Sequence, residues 1–281
     1  MADPDTSPPA DPDTSPPADP ATDMRDWGLA APGELDRILV ISPHLDDAVL
    51  GCAHLLAAHP GTTVVTIFAG RPAAYPDPME RWDALCGFVP GDEVHAARRA
   101  EDAAALATLD ARPVWLDFVE HSHLPREARV RGDAIADTLE AAVRAAAPTA
   151  VLAPFGLGNP DHDAAHDAAM LVRARVPEPA WFCYEDMGYK HIPGLLAWRV
   201  ARLFVAGVWP TPAALPVDLD PRRKQAAVDC YPSQLRALEA EWQIGAKLAA
   251  PAPEQYWRLA PPPPGWERLS DVAGLVPPGV A

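Results

Sequence analysis

Cysteine is scarce. Cys52, Cys86, Cys183 and Cys230 are the only four in 281 residues, and no two form a CxxC pair or the spacing of a small disulfide-bonded domain. They read as small buried hydrophobes of a cytoplasmic protein. Basic residues are outnumbered, 23 Lys and Arg against 39 Asp and Glu, for a formal net charge of −16. Such a surface repels phosphate backbones and anionic bilayers alike, which argues against nucleic acid and membrane as partners. No apolar run approaches the roughly 18 residues of a membrane span, and the first residues lack the basic start and apolar centre of a signal peptide. Also missing is a glycine-rich phosphate loop after the first apolar run, so no nucleotide cofactor is implied.

What is present is enough apolar sequence, 49% of residues, for one globular domain with a large core. Residues 1–24 hold "ADPDTSPP" twice in tandem, from Ala2 and from Ala10. That composition has nothing to bury and reads as a disordered acidic tail. From about Asp36 short β-branched runs alternate with longer Ala-rich segments of helical spacing. The strand candidates are "RILVIS", "TTVVTIFAG", "RPVWLDF", "TAVLAPF" and "AWFCYED". The helix candidates run from Asp47 to His59, Val94 to Leu109, Val130 to Ala146 and Asp163 to Val176. The rhythm predicts an α/β fold, a Rossmann-like, mostly parallel sheet with helices on both faces, over residues 25–250. "PRRKQAAVDCYPSQLRALEAEW" is expected as one further helix, and residues 251–281 as a Pro-rich covering extension.

In open sheets of this kind ligands sit beyond the carboxyl ends of the strands, and polar residues gather there. After the first strand comes "SPHLDDAV". One Asp is needed to cap the following helix. Two in succession, with His44 one turn from Asp47, offer two metal ligands and a separate carboxylate, Asp46. After the fourth strand "GNPDHDAAH" supplies Asp161 as a cap and two imidazoles, His162 and His166, on one helical face. Either would complete a two-histidine, one-carboxylate zinc set with open positions.

"PHLDDAVL" resembles the His-Pro-Asp-Asp signature of the PIG-L, or LmbE-like, family of zinc-dependent N-acetylglucosamine deacetylases. "NPDHDAAH" is similar to the later His-x-Asp-His motif of that family, and "RRAEDAAALATL", "WLDF", "YEDMGY" and "KQAAVDCYPSQ" extend the likeness over about Arg37 to Trp242. The resemblance implies Zn²⁺ on His44, Asp47 and His162, and Asp46 as general base. It implies Arg98 and Asp117 at the sugar pocket, and a small-molecule glycoconjugate as substrate, deacetylated to free amine and acetate. Two positions depart from the pattern. Leu45 stands in place of Pro, and Asn159 in place of a histidine that assists the oxyanion or the leaving amine. An Asn amide donates to an oxyanion but does not shuttle protons, so either His166 or Asp46 takes the acid role or catalysis is slower.

Glu185 and Asp186 follow the last clear strand and are expected to approach substrate or cap structure. His121 and His123 are balanced between solvated loop and pocket wall. Tyr231, Ser233 and Gln234 are balanced between core and pocket, and Trp181, Trp198, Trp209 and Trp242 between packing and sugar stacking. The rival functions are amidase action on another acyl amide, such as a thiol-sugar conjugate, and a non-catalytic metal- or sugar-binding role.

Overall fold

A computed structural model describes residues 28–248 and 254–261. The expected tail, residues 1–24, and most of the expected C-terminal extension lie outside these. Strand β1 (Ile38–Ser42) is buried along its whole length and lies between β2 (Thr63–Thr66) and β4 (Ala150–Pro154), parallel to both. Its alternation sorts the core. Leu39 and Ile41 face α4 (Gly132–Ala146) and α5 (Pro160–Arg175), where they meet Leu139, Val143 and Val172. Ile38 and Val40 face α1 (Asp47–Ala58) and α3 (Val94–Thr108), where they meet Val49, Leu55 and Leu106. Each such side chain, fully removed from water, contributes about 2 kcal/mol, and a strand covered on both faces reads as the continuous apolar run seen here.

The order is β3-β2-β1-β4-β5-β7-β6, with β3 (Arg112–Trp115) at one edge and β6 (Trp209–Ala213) at the other. The five strands from β3 to β5 (Ala180–Tyr184) are parallel. β7 (Tyr256–Ala260) runs antiparallel to both β5 and β6. The chain leaves β1 toward β2 and β3, then returns to β4 on the other side, so the switch point falls between β1 and β4.

Three expectations are corrected. The domain does not stop at residue 250, because β7 fills the sheet between β5 and β6. The single helix expected after Pro221 is two, α7 (Pro221–Val228) and α8 (Pro232–Trp242), since Pro232 lacks the N–H to continue a helix and opens a new one. α5 begins at Pro160 rather than Asp163, with Asn159 accepting from the Asp161 N–H at 2.8 Å. Among the described residues no helix is long and apolar enough to cross a membrane.

Candidate active site

The site grows out of the β1–α1 turn. The Ser42 hydroxyl donates to the His44 carbonyl (2.7 Å) and accepts from the Ala48 N–H (3.0 Å), and the His44 N–H donates to Asp47 Oδ2 (2.9 Å). Asp46 stands at the N-cap position of α1 yet makes no capping hydrogen bond with its side chain. The pair of aspartates thus divides its work: Asp47 braces the turn, and the Asp46 carboxylate is left beside it.

Across the switch point the first turn of α5 delivers His162, whose Nε2 lies 3.3 Å from Asp47 Oδ2. His44 Nδ1 lies 3.3 Å from the same oxygen. The outer nitrogens of both rings are held by carboxylates, His44 Nε2 by Asp161 at 3.0 Å and His162 Nδ1 by Asp186 at 2.6 Å. Each imidazole is thereby oriented with its other nitrogen turned inward toward Asp47, the support that metal-binding histidines receive. His44, Asp47 and His162 place one donor atom each within 4.8 Å of one another, and this set fits a divalent cation.

The electrostatics agree with a site built for positive charge. Burial opposes protonation of His44 and His162, but the bonds from Asp161 and Asp47 to His44, and the Asp47 charge with the Asp186 bond at His162, push both above the usual imidazole value. Burial, reinforced by the Asp47 charge, pushes Asp46 up to about 7. Against its own burial, Asp161 is held well below the carboxylate range by bonds from His121 and His44.

A cavity of about 290 Å³ opens over this cluster, lined among others by His44, Asp46, Asp47, Arg98, Asn159 and His162. Six of the expected site residues are therefore brought together. Arg98 is buried and ion-paired with Glu120, which shares the wall. Trp82, Met187 and Leu238 make an apolar side, and the Trp82 indole donates to Gln234 (3.1 Å).

Four expected residues lie elsewhere. The Asp117 side chain is 92% exposed and meets Arg99 at 3.2 Å, because alternation after β3 turns Leu116 in and Asp117 out. Glu185 accepts from the Trp257 indole (3.0 Å) and pairs with Lys190 (3.3 Å), drawn toward β7 rather than the cavity. Asp186 is buried behind His162, where it orients that ring and does not line the cavity. His166 is buried one turn further along α5 and donates from Nδ1 to the Pro154 carbonyl (2.9 Å). The loop after β4 covers it. Gly156, at φ +75°, passes so close that a Cβ there would stand 2.5 Å from His166 Cβ. Burial pushes His166 down to about 4, so it is a neutral packing imidazole and not an acid at the site.

Of the residues left undecided, His121 lines the cavity with Nδ1 2.9 Å from Asp161, whereas His123 pairs with buried Asp83 (2.7 Å) outside it. Tyr231 and Ser233 are tied to Asp102 and Glu101. Trp242 packs edge-on against Tyr189, whose ring in turn meets His162.

The profile of the PIG-L family, described as GlcNAc-PI de-N-acetylase, matches residues 39–172. Among solved structures, the A40926 pseudoaglycone deacetylase is 30% identical with a TM-score of 0.67, over 81% of this chain and 98% of that one. The chain belongs to the PIG-L family. A second similar structure of the same fold, the zinc-inhibited form of teicoplanin deacetylase, is 25% identical with a TM-score of 0.64, covering 80% of this chain and 98% of that one. Comparison with curated proteins gave no match. As a PIG-L member the chain is a metal-dependent deacetylase.

Proposed function

We propose that this PIG-L protein is a zinc enzyme that removes the acetyl group from an N-acetylglucosaminyl unit of a small glycoconjugate or natural product. The observation that carries the reading is the convergence of His44 Nδ1 and His162 Nε2 on Asp47 Oδ2, both at 3.3 Å, with an uncommitted carboxylate, Asp46, beside them. His44, Asp47 and His162 would hold the metal. When bound, it would lower the pKa of a coordinated water toward about 7 and polarise an acyl oxygen.

Asp46 is the general base in this reading. Its carboxylate takes a proton from the attacking water and returns it to the departing nitrogen, leaving free amine and acetate. Its position near neutrality, set by burial and the Asp47 charge, suits both transfers. Asn159 contributes its amide N–H: Oδ1 is committed to the Asp161 N–H, which leaves Nδ2 as the donor at the cavity wall. Arg98, neutralised in part by Glu120, presents guanidinium donors to sugar hydroxyls.

The cavity supports the substrate class. About 290 Å³ is near the lower end for small-molecule pockets and takes one sugar ring rather than a whole conjugate, so the aglycone extends out of the cavity past its apolar side of Trp82, Met187 and Leu238. The similar structures are named for deacetylation in the A40926 and teicoplanin systems, which favours a bulky aglycone. Unpaired thiols at all four cysteines fit a cytoplasmic setting.

The test is metal content of the purified protein together with acetate release from a panel of N-acetylglucosaminyl conjugates. Near-stoichiometric zinc and acetate release in wild type, both lost in His162→Ala, are expected. Asp46→Asn is expected to keep its zinc and lose at least about 100-fold in turnover. Full turnover by that variant removes Asp46 from the base role, and a metal-free wild type overturns the reading.

A further inference from the structure

We propose that Tyr189 is a catalytic residue of the deacetylation read above, its phenol O–H donating to the acyl oxygen as that oxygen gains negative charge. The inference rests on the deacetylase reading for its substrate, but on independent geometry for its donor.

Tyr189 opens the single helical turn Tyr189–His191 that follows β5 and lines the cavity beside Asn159 and His162. Its ring is fixed from three sides. One edge meets the His162 ring, with centroids 5.1 Å apart and planes at 74°. Trp242 meets it at 5.1 Å and 70°. On the third side the ring occupies space that only a glycine leaves, since a Cβ on Gly158 would stand 2.3 Å from Tyr189 Cδ1. A phenol so held costs little reorganisation when charge develops nearby.

The hydrogen-bond polarity assigns the proton. Asn159 accepts the Asp161 N–H on Oδ1, so Nδ2 is the end that faces Tyr189, with Nδ2 and Oη 3.5 Å apart. Oη is therefore on the accepting side of that contact, and among the described residues its own hydrogen has no acceptor. A phenol carries that hydrogen at neutral pH, and burial pushes the Tyr189 phenol further up from its ordinary value, so the hydrogen is there for a ligand oxygen.

The chemistry balances without transfer of the phenolic proton. Water oxygen bonds to the acyl carbon, the C=O π pair moves onto the acyl oxygen, and Tyr189 hydrogen-bonds to that oxygen while keeping its proton. The C–N bond then breaks, the pair re-forms C=O, and the nitrogen leaves with the proton that Asp46 took from water. If Tyr189 served packing alone, phenylalanine would do equally well, because the three ring contacts do not use the hydroxyl.

Tyr189→Phe is the decisive variant. It is expected to lose about 100-fold in kcat with KM changed by less than about threefold and zinc content unchanged. Binding of a methylphosphonamide analogue of the substrate, which presents a tetrahedral oxyanion, should weaken by a similar factor, while binding of the free amine product stays the same. Turnover and analogue binding within about threefold of wild type overturn the proposal, as does a loss of zinc in proportion to activity. Should wild type release no acetate from any N-acetylglucosaminyl conjugate, the functional reading fails. The analogue-binding ratio of the two proteins then still decides whether the phenol serves an oxyanion.

Discussion

His166 carries the motif spacing of a second metal or acid group, yet the structure makes it a neutral imidazole in the core, and that difference can be measured. Burial, aided by the nearby Arg199 charge, takes it from the ordinary value near 6.5 down to about 4. The native state then resists binding a proton that the unfolded chain accepts. Between about pH 4 and 6.5 the unfolded state holds more protons, so stability is complete above that window and is lost as pH falls through it. At 1.36 kcal/mol per pH unit the whole effect is about 3 kcal/mol, of which about 2 kcal/mol is lost between pH 7 and pH 5. His166→Asn keeps a donor at the position of Nδ1 for the Pro154 carbonyl and cannot titrate. Urea unfolding of both proteins at pH 7 and pH 5 gives the difference, in which titrations common to both cancel. The variant's disadvantage at pH 7 should shrink by about 2 kcal/mol at pH 5, and its acetate release per folded molecule should match wild type. An unchanged gap refutes the neutral core imidazole. A folded variant without activity refutes the exclusion of His166 from catalysis.

Two further outcomes follow from the support around the site. Asp186→Ala removes the carboxylate that holds His162 Nδ1 at 2.6 Å, and zinc affinity, read by competition with a chromogenic chelator, should fall roughly 10- to 100-fold with the ligands themselves intact. Gly156→Ala forces a Cβ into His166 at a backbone angle of φ +75°, so stability should drop by about 1–3 kcal/mol in urea unfolding; a neutral result means the loop after β4 is not the cover inferred for His166.

The parallel half of the fold was legible because its inner strands are covered on both faces. Continuous apolar runs such as Ile38–Ser42, separated by amphipathic helices, admit few other arrangements. The antiparallel end was not. β6 is "WPTPA", and prolines demote a segment from the strand class. The register explains the exception: Pro210 and Pro212 alternate with Trp209, Thr211 and Ala213, so the positions without an N–H turn away from β7 while the other residues face it. β7 then fell in a stretch read as extension, since "YWRLA" lacks strict alternation and its partners adjoin it only in space.

At the site, the ligand triad was legible in short spacings, and what was missed divides by physical cause. Asp161 was open to reading from the sequence. With Asn and Asp both able to cap, Pro160 decides between them: proline favours the first helical position, which makes Asn159 the N-cap and places Asp161 inside the first turn with its carboxylate unspent. That carboxylate then joins His44 to His121, and the loop after β3 becomes part of the wall. His166 was not readable in the same way. Its spacing of four from His162 does put both on one face of α5, but a helix that starts beyond the carboxyl end of an interior strand offers the cavity only its first turn. Whether the second turn is open depends on where the β4 loop lies, and that is settled by Gly156, ten residues earlier in the chain, through contact with His166 itself. Tyr189 belongs to the same class: a tyrosine five residues beyond β5 becomes a cavity residue only because Gly158, on a different loop, leaves room for its ring.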